Sequence, residues 1–277
     1  MFEVFKMHIL FLGTGAAEGW PAIFCRCDAC ARARALGGRN LRSRSSIHIN
    51  GAYKVDWPPD TYLHMLRYNL NFADIKYLFI THGHYDHLHS DDLFMRRPPF
   101  AHMRDGGDLH VYGSREVIGY ITRSVGEQSN LGLILHDLRP FETVKAGEFK
   151  VTALLADHDP NQTCFLYLFE SGGKVFLHGY DSGWFPEETW RALEGYRLNL
   201  AVLDCTMGAA SSMKYHMGLK EVIEVKRKMV LKGIADRDTI FIATHFSHNG
   251  LLLHDELTAK LLPEGIEVAY DGLSIEI

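Results

Sequence analysis

Four side chains of the kind that bind metals stand within six residues: His82, His84, Asp86 and His87, in the run Thr81-His82-Gly83-His84-Tyr85-Asp86-His87. Neutral imidazole and carboxylate are ligands for zinc, manganese and iron. His82 and His84 are two apart, directly after an apolar segment at 76–80 that reads as a strand. In extended backbone, residues i and i+2 project to one side, so both imidazoles can reach one ion. Asp86 and His87 follow as the chain turns and can address a second ion. Two neighbouring ions hold a bridging hydroxide and clamp an oxyanion, which is hydrolase chemistry. The competing reading is a polar surface loop, since His89, Asp91 and Asp92 lie just beyond.

A second cluster, Cys25, Cys27 and Cys30, places three thiols within six residues. Five cysteines is an odd number, and residues 1–10, with Glu3, Lys6 and His8, lack the apolar core of a secretory signal. In that context clustered cysteines point to metal rather than to disulfides, and a fourth ligand would close a tetrahedral structural site. The alternative is three reduced, partly buried thiols.

These groups need a scaffold. Of the 277 residues, 47% are apolar and 23% charged, an ordinary globular balance that can bury a large core without disulfides. The net charge of −5 provides no basic field for nucleic acid and argues against a polynucleotide partner. No apolar run reaches the roughly 18 residues of a membrane span, so a cytoplasmic location is expected. Strand patterns occur at 8–12, 45–49, 52–55, 76–80, 110–112, 149–155, 163–170, 174–178, 200–204, 239–243, 267–270 and 274–277. Helical spacing occurs at 28–36, 61–70, 114–125, 186–192, 219–232 and 253–262. Asn50-Gly51 and Gly172-Gly173 mark hairpin turns. No linker divides the chain, so one domain over 1–277, two packed sheets with outer helices, is expected.

The order His-x-His-x-Asp-His after a strand resembles the signature of the metallo-β-lactamase superfamily, matched here by His82-Gly83-His84-Tyr85-Asp86-His87. The resemblance implies an α/β fold, a four-layer αββα sandwich with metals at one edge of two sheets. It implies further ligands in order: His158 past the strand at 149–155, Asp181 past that at 174–178, and His245 in Thr244-His245-Phe246-Ser247. On this resemblance His82, His84 and His158 hold one divalent ion, Asp86, His87 and His245 the other, and Asp181 bridges them. The ions would be zinc or manganese. Asp56 matches an aspartate that supports the ligands. True β-lactamases of this class generally replace some ligands, often with a cysteine. Cys205 lies well past the bridging position, so antibiotic hydrolysis is not expected.

The cysteine motif after Gly13-Thr14-Gly15, with Thr244-His245-Phe246-Ser247-His248 late in the chain, is similar to the phosphodiesterases of the bacterial carbon–phosphorus lyase pathway. That similarity implies a structural zinc on Cys25, Cys27, Cys30 and His248. A pyrroloquinoline-quinone biosynthesis branch shares the cysteines but has altered active-site ligands, whereas the hydrolytic set is complete here. In the phosphodiesterase branch, and in related tRNA 3′-processing endonucleases, a histidine before a helix assists catalysis. His216 stands before the helix at 219–232; otherwise it is an ordinary helix-start residue. The endonucleases carry a long arm between the histidine and the bridging aspartate, but only 23 residues separate His158 from Asp181.

The expected function is therefore a metal-dependent phosphodiesterase acting on small or cyclic phosphodiesters. The bridging hydroxide would attack phosphorus in line, with Asp86 orienting it and His216 assisting the leaving group. The alternatives are a thioesterase or lactonase on the same fold, or a non-catalytic carrier like the quinone-biosynthesis relative. Arg39, Arg42, Arg44, Lys214 and Lys220 are candidate phosphate contacts or plain solvated and structural charges. The loop Gly13-Thr14-Gly15 is a weak candidate for backbone contacts to an anion. The sequence leaves a homodimer open.

Overall fold

Period-2 alternation of apolar residues builds two seven-stranded sheets in the computed structural model, which describes residues 5–103, 107–126 and 130–277. The part of the N-terminal reading that rests on residues 1–4 lies outside the described residues. Strands β1 (His8–Gly13), β2 (Ser46–Ile49), β3 (Tyr53–Val55), β4 (Tyr77–Phe79), β5 (Leu109–Gly113) and β6 (Leu133–Asp137) belong to the first sheet. The second holds β7 (Thr143–Ala146), β8 (Phe149–Leu155), β9 (Phe165–Ser171), β10 (Lys174–Gly179), β11 (Leu200–Asp204), β12 (Ile240–Thr244) and β13 (Glu267–Val268). The last strand, β14 (Ser274–Glu276), returns to pair with β1.

Phe165, Tyr167 and Phe169 of β9 face the core between the sheets, against Ile9, Phe11, Ile47 and Phe79. Leu166 and Leu168, on the other face, join the outer core with Ala201, Leu203, Phe241 and Ala243. That outer face is covered by α1 (Asp28–Leu36), α4 (Glu187–Leu193), α5 (Leu219–Leu231) and α6 (His254–Leu261). Helix α5 buries Val222, Val225 and Met229, a helical spacing that lines one stripe. On the far side of the first sheet, α3 (Arg115–Val125) buries Val117, Ile121 and Val125 against Leu78, Ile80 and Val111. Helix, sheet, sheet and helix thus form four layers, as expected. A short helix, α2 (Thr61–Arg67), ends before residue 70 because Asn69 turns left-handed, at φ 51°. Among the described residues no helix is long and apolar enough to cross a membrane.

Each sheet is antiparallel in one half and parallel in the other. Strands β3 to β6 run parallel, and so do β10 to β13. The carboxyl ends of parallel strands are where open α/β sheets place ligands. The two sheets are joined there: Phe165 N–H donates to Thr81 O at 2.9 Å, and Tyr167 Oη–H to Ile80 O at 2.8 Å.

Two strands, β6 and β7, carry no clear sequence pattern. Both are sheet edges, paired on one side only, and half-exposed, so period-2 apolar alternation is weak. The hairpin at Gly172-Gly173 is as expected, with both residues at positive φ (54° and 77°) in a two-residue turn.

Lys54 is fully buried in β3. Its ammonium donates to Ser46 Oγ at 2.6 Å and to Asp56 O at 2.5 Å, and faces the Trp57 ring at 5.1 Å. Burial pulls its pKa down to about 7, against the opposing pull of Asp56. Between that value and the ordinary one of 10.5, the unfolded chain binds a proton that the folded chain has released. Stability therefore rises with pH across this window, by at most about 1.4 kcal/mol per unit. Urea unfolding at about pH 7 and pH 9.5 should show the native protein gaining stability relative to Lys54→Met. Equal pH slopes for the two proteins would refute a low Lys54 pKa.

Candidate metal centre

Strand ends deliver the candidate ligands. Asp56 follows β3, the histidine run follows β4, His158 follows β8, Asp181 follows β10, Asp204 ends β11 and His245 follows β12. Asp56, Asp181 and His245 have left-handed backbone (φ 63°, 63° and 62°). For residues other than glycine such a conformation costs roughly 1 kcal/mol or more each and persists only where the surroundings enforce it.

His82 Nε2 lies 2.9 Å from His84 Nδ1, which lies 3.2 Å from His158 Nε2. His87 Nε2 is 3.1 Å from Asp86 Oδ2 and 2.7 Å from Asp181 Oδ2. His245 Nε2 is 4.0 Å from Asp86 Oδ2 and 3.7 Å from Asp181 Oδ2. His82 Nε2 and His158 Nδ1 approach the two Asp181 oxygens at 3.3 and 3.5 Å. Two ligand nitrogens on a tetrahedral ion stand about 3.3 Å apart, given bonds of about 2.0–2.1 Å. The buried His87 Nε2, His245 Nε2 and both Asp181 oxygens have no hydrogen-bond partner. Orphaned polar atoms that converge in this way fit a pair of divalent ions, and the same groups form the sets able to hold them: His82, His84 and His158; Asp86, His87 and His245; and His82, His87 and Asp181.

The electrostatics are consistent with such a cluster. Burial and the neighbouring His87 push the His82 pKa well below the imidazole range. Burial works against protonation of His87 too, but Asp86, Asp56 and Asp181 hold its pKa well above that range. Asp181 is buried, yet His245, His158, His87 and His82 keep it well below the carboxylate range. The carboxylates around His87 thus favour positive charge at this point.

Supporting groups fix these side chains. Asp56 Oδ2 lies 2.7 Å from His87 Nδ1, and Asp56 Oδ1 accepts from Thr81 N–H at 2.8 Å. Asp204 accepts from the N–H groups of Asp181 (3.2 Å), Thr206 (3.0 Å) and Met217 (2.8 Å), and from Thr206 Oγ at 2.9 Å. It also lies 3.1 Å from His216 Nδ1. Sequence reasoning missed Asp204, although its position at a strand end matches that of the other aspartates. His216 Nδ1 is 3.3 Å from Asp181 Oδ1, and its ring edge meets His158. Despite burial, Asp204 and Asp181 raise the His216 pKa to about 9. The ring lines a cavity of about 510 Å³ with His84, Asp86, His158, Asp181 and His245.

Between β1 and β2, the cysteine loop forms its own cluster. His248 Nδ1 lies 3.6 Å from Cys25 Sγ and 3.4 Å from Cys27 Sγ, and Cys30 completes the group. Zinc bonds of about 2.3 Å to sulfur and 2.0 Å to nitrogen imply an S···N separation of about 3.6 Å. Cys27 caps α1, accepting from Cys30 N–H, and this contact, with those to His248 and the neighbouring thiols, lowers its thiol pKa to about 6 despite partial burial. His248 turns away from His245, toward the thiols.

The basic candidates lie elsewhere. Arg42 is buried, donating to Thr14 Oγ1 and Ala269 O and lying over Phe246. Arg44 pairs with Asp60 and donates to Ala17 O, and Arg39 lies over Tyr270. None lines the cavity, nor do Lys214 and Lys220. The N–H groups of Thr14 and Gly15 are spent on Ser43 O, so the glycine loop cradles no anion. A Cβ at Gly13 would meet Arg44 O at 2.0 Å, so this glycine serves strand packing.

Residues 59–246, more than half of the chain, match the family described as the beta-lactamase superfamily domain. The chain belongs to the metallo-β-lactamase superfamily. Its fold is similar to that of a diphosphatase of the PhnP family, at 24% identity and a TM-score of 0.76, over 99% of this chain and 98% of that one. It is also similar to zinc-bound PqqB from Methylobacterium extorquens, at 19% identity and a TM-score of 0.74, over 98% and 100% of the two chains. Ribonuclease Z of Streptococcus equi subsp. equi is 30% identical over 122 residues, 43% of this chain and 34% of the relative. The chain matches less than half the length of the curated relatives.

Membership of this superfamily makes the Asp56–His87 contact testable. Partners that orient a ligating histidine are worth about 10- to 100-fold in metal affinity. Asp56→Asn should weaken binding of one active-site ion by that factor in a competitive chelator titration. An unchanged affinity would show that Asp56 supports the loop without tuning His87.

Proposed function

We propose that this metallo-β-lactamase-family hydrolase is a phosphodiesterase acting on small or cyclic phosphodiesters. His82, His84 and His158 would hold one divalent ion, and Asp86, His87 and His245 the other, with Asp181 shared and zinc or manganese as the metal. Cys25, Cys27, Cys30 and His248 would hold a structural zinc. We read residues 1–277 as one domain and the protein as cytoplasmic.

The observation that carries this reading is His216. Its Nδ1 faces Asp204 at 3.1 Å, while its ring lines the same cavity as the ligand set. A bound metal pair supplies charge neutralisation for phosphoryl oxygens and lowers the pKa of a water. The chain's residues do the rest. Asp204 fixes the His216 ring and stabilises its protonated form, so that Nε2 can give a proton to the departing oxygen. Asp86, at the cavity wall, orients the attacking water. The cavity of about 510 Å³ takes a small substrate, and β9 and β10 leave no space for an arm between His158 and Asp181. Similarity to a diphosphatase and to ribonuclease Z supports phosphorus as the centre attacked. The complete ligand set speaks against a carrier.

Elemental analysis of the purified protein should find about three metal ions per chain, and the loaded protein should cleave bis(p-nitrophenyl) phosphate. One zinc alone would favour the carrier, and thioester or lactone cleavage without phosphodiester cleavage would favour the rival hydrolases. His216→Ala should lower kcat on the phosphodiester by roughly 10²- to 10⁴-fold at unchanged metal content. Chelation of the structural zinc, or Cys27→Ser, should lower the melting temperature; an unchanged melting curve would refute a structural metal there.

A further inference from the structure

The imidazoles of the metal-capable cluster are held in different ways. The side chains of His82, His87 and His245 are at most 2% exposed and that of His158 7%, so packing restricts their rings. The His84 side chain is 41% exposed. A half-turn of its ring about the Cβ–Cγ bond would exchange Nδ1 for a carbon. Nδ1 is the atom that faces His82 Nε2 at 2.9 Å and His158 Nε2 at 3.2 Å. A group at the opposite edge of the ring has to select between the two orientations.

Asp159, the residue after His158, is that group. Its Oδ2 lies 3.1 Å from His84 Nε2. A carboxylate only accepts, so this contact places the ring proton on Nε2 and leaves the Nδ1 lone pair for the cluster. The carboxylate is itself fixed. Oδ1 accepts from Asn161 N–H and Nδ2–H, both at 2.9 Å, and Oδ2 accepts from Gln162 Nε2–H at 2.9 Å. Gln162 Oε1 in turn accepts from Gly83 N–H at 2.7 Å, inside the run His82-Gly83-His84. A Cβ at position 83 would run into the Tyr120 ring and meet Gln162 Oε1 at 3.0 Å, so glycine between the two histidines lets this brace come in. The loop after β8 thus returns to the loop after β4 and grips both its backbone and one of its rings.

We propose that Asp159 is the positioning residue of His84 and that Gln162 locks it to the Gly83 backbone. Asp159 selects the ring orientation in which Nδ1 faces the ion assigned to His82, His84 and His158. The loop that carries His158 thereby also aims a second ligand of the same ion, and the site of that ion is built as one unit. Asp56 does the equivalent for His87 in the other set. The proposal rests on the ligand assignment and is independent of which ester is cleaved.

Chelator competition against the metal-loaded chain tests it. Asp159→Ala should weaken binding of one ion of the active cluster by about 10- to 100-fold and leave the ion on the thiols unchanged. Asp159→Asn, whose amide oxygen still accepts from Nε2–H, should recover part of that loss. Gln162→Ala should show a smaller loss in the same ion. With cobalt(II) as the probe ion, NMR of the native protein in water should show a hyperfine-shifted, exchangeable proton for His84 Nε2–H, protected by the carboxylate. In Asp159→Ala that signal should vanish into solvent exchange while the other imidazole N–H signals persist. An affinity and a cobalt spectrum unchanged in Asp159→Ala overturn the proposal, as does an equal loss for every ion, which marks general damage to the fold. A native protein that takes up no ion beyond the thiol cluster overturns the ligand assignment and the proposal with it. If the ions bind as described but bis(p-nitrophenyl) phosphate is not cleaved, the phosphodiesterase reading alone fails.

Discussion

Asp181 imposes the constraint on which the rest of the centre depends. Both of its carboxylate oxygens are buried without a hydrogen-bond partner, at the convergence of His82, His87, His158, His216 and His245. An ionised carboxylate in such a place is costly unless positive charge is brought to it. Its pKa is held low by the surrounding imidazoles, and the high pKa of His87 is the other half of the same balance. The arrangement stores a demand for cations. Bringing these imidazoles and carboxylates together at the strand ends is electrostatically expensive, a cost that divalent cations would offset.

The scaffold meets that demand with backbone geometry. Six strand ends arrive at one place, and three of the residues just past them adopt left-handed conformations that side chains ordinarily avoid. That strain is affordable because each of these ends is tied to a neighbour. Asp56 N–H donates to Phe79 O, Asp181 N–H to Asp204, and the residue after His245 donates its N–H to Thr14 O. The two tightly packed cores behind the strands hold the ends in register, so the energy for positioning comes from burial of Phe79, Tyr167, Phe169 and their neighbours rather than from the loops themselves.

Much of this was legible in the chain. The run from His82 to His87 announces itself because four metal-capable side chains occupy six positions, and the later candidates were placed by the resemblance to the superfamily, each falling just past an apolar strand. The four layers follow from strong period-2 and helical patterns. The partners that tune the site were less visible. Asp204 has no motif of its own and gains its role only when β10, β11 and the segment before α5 come together in space. Lys54 looks like an ordinary exposed residue of a strand, yet Trp57, Phe72 and Ser46 enclose it. The arginines near 39–44 misled in the opposite direction, because a guanidinium that stacks on an aromatic ring and satisfies buried carbonyls has the same sequence signature as one that awaits a phosphate.

Glu18 joins the two clusters into one design. Its Oε1 is shared between Ser247, two residues past His245, and the ring of His248, whose other nitrogen faces the thiols. Ordering of the cysteine loop therefore orders one wall of the cavity. In the same segment His245 faces inward and His248 outward, so a four-residue stretch carries one member of each metal-capable group. The His248 ring thus links the thiol cluster on one side to Glu18, in the cavity wall, on the other. The thiol cluster is thereby tied to the geometry of the cavity through position alone.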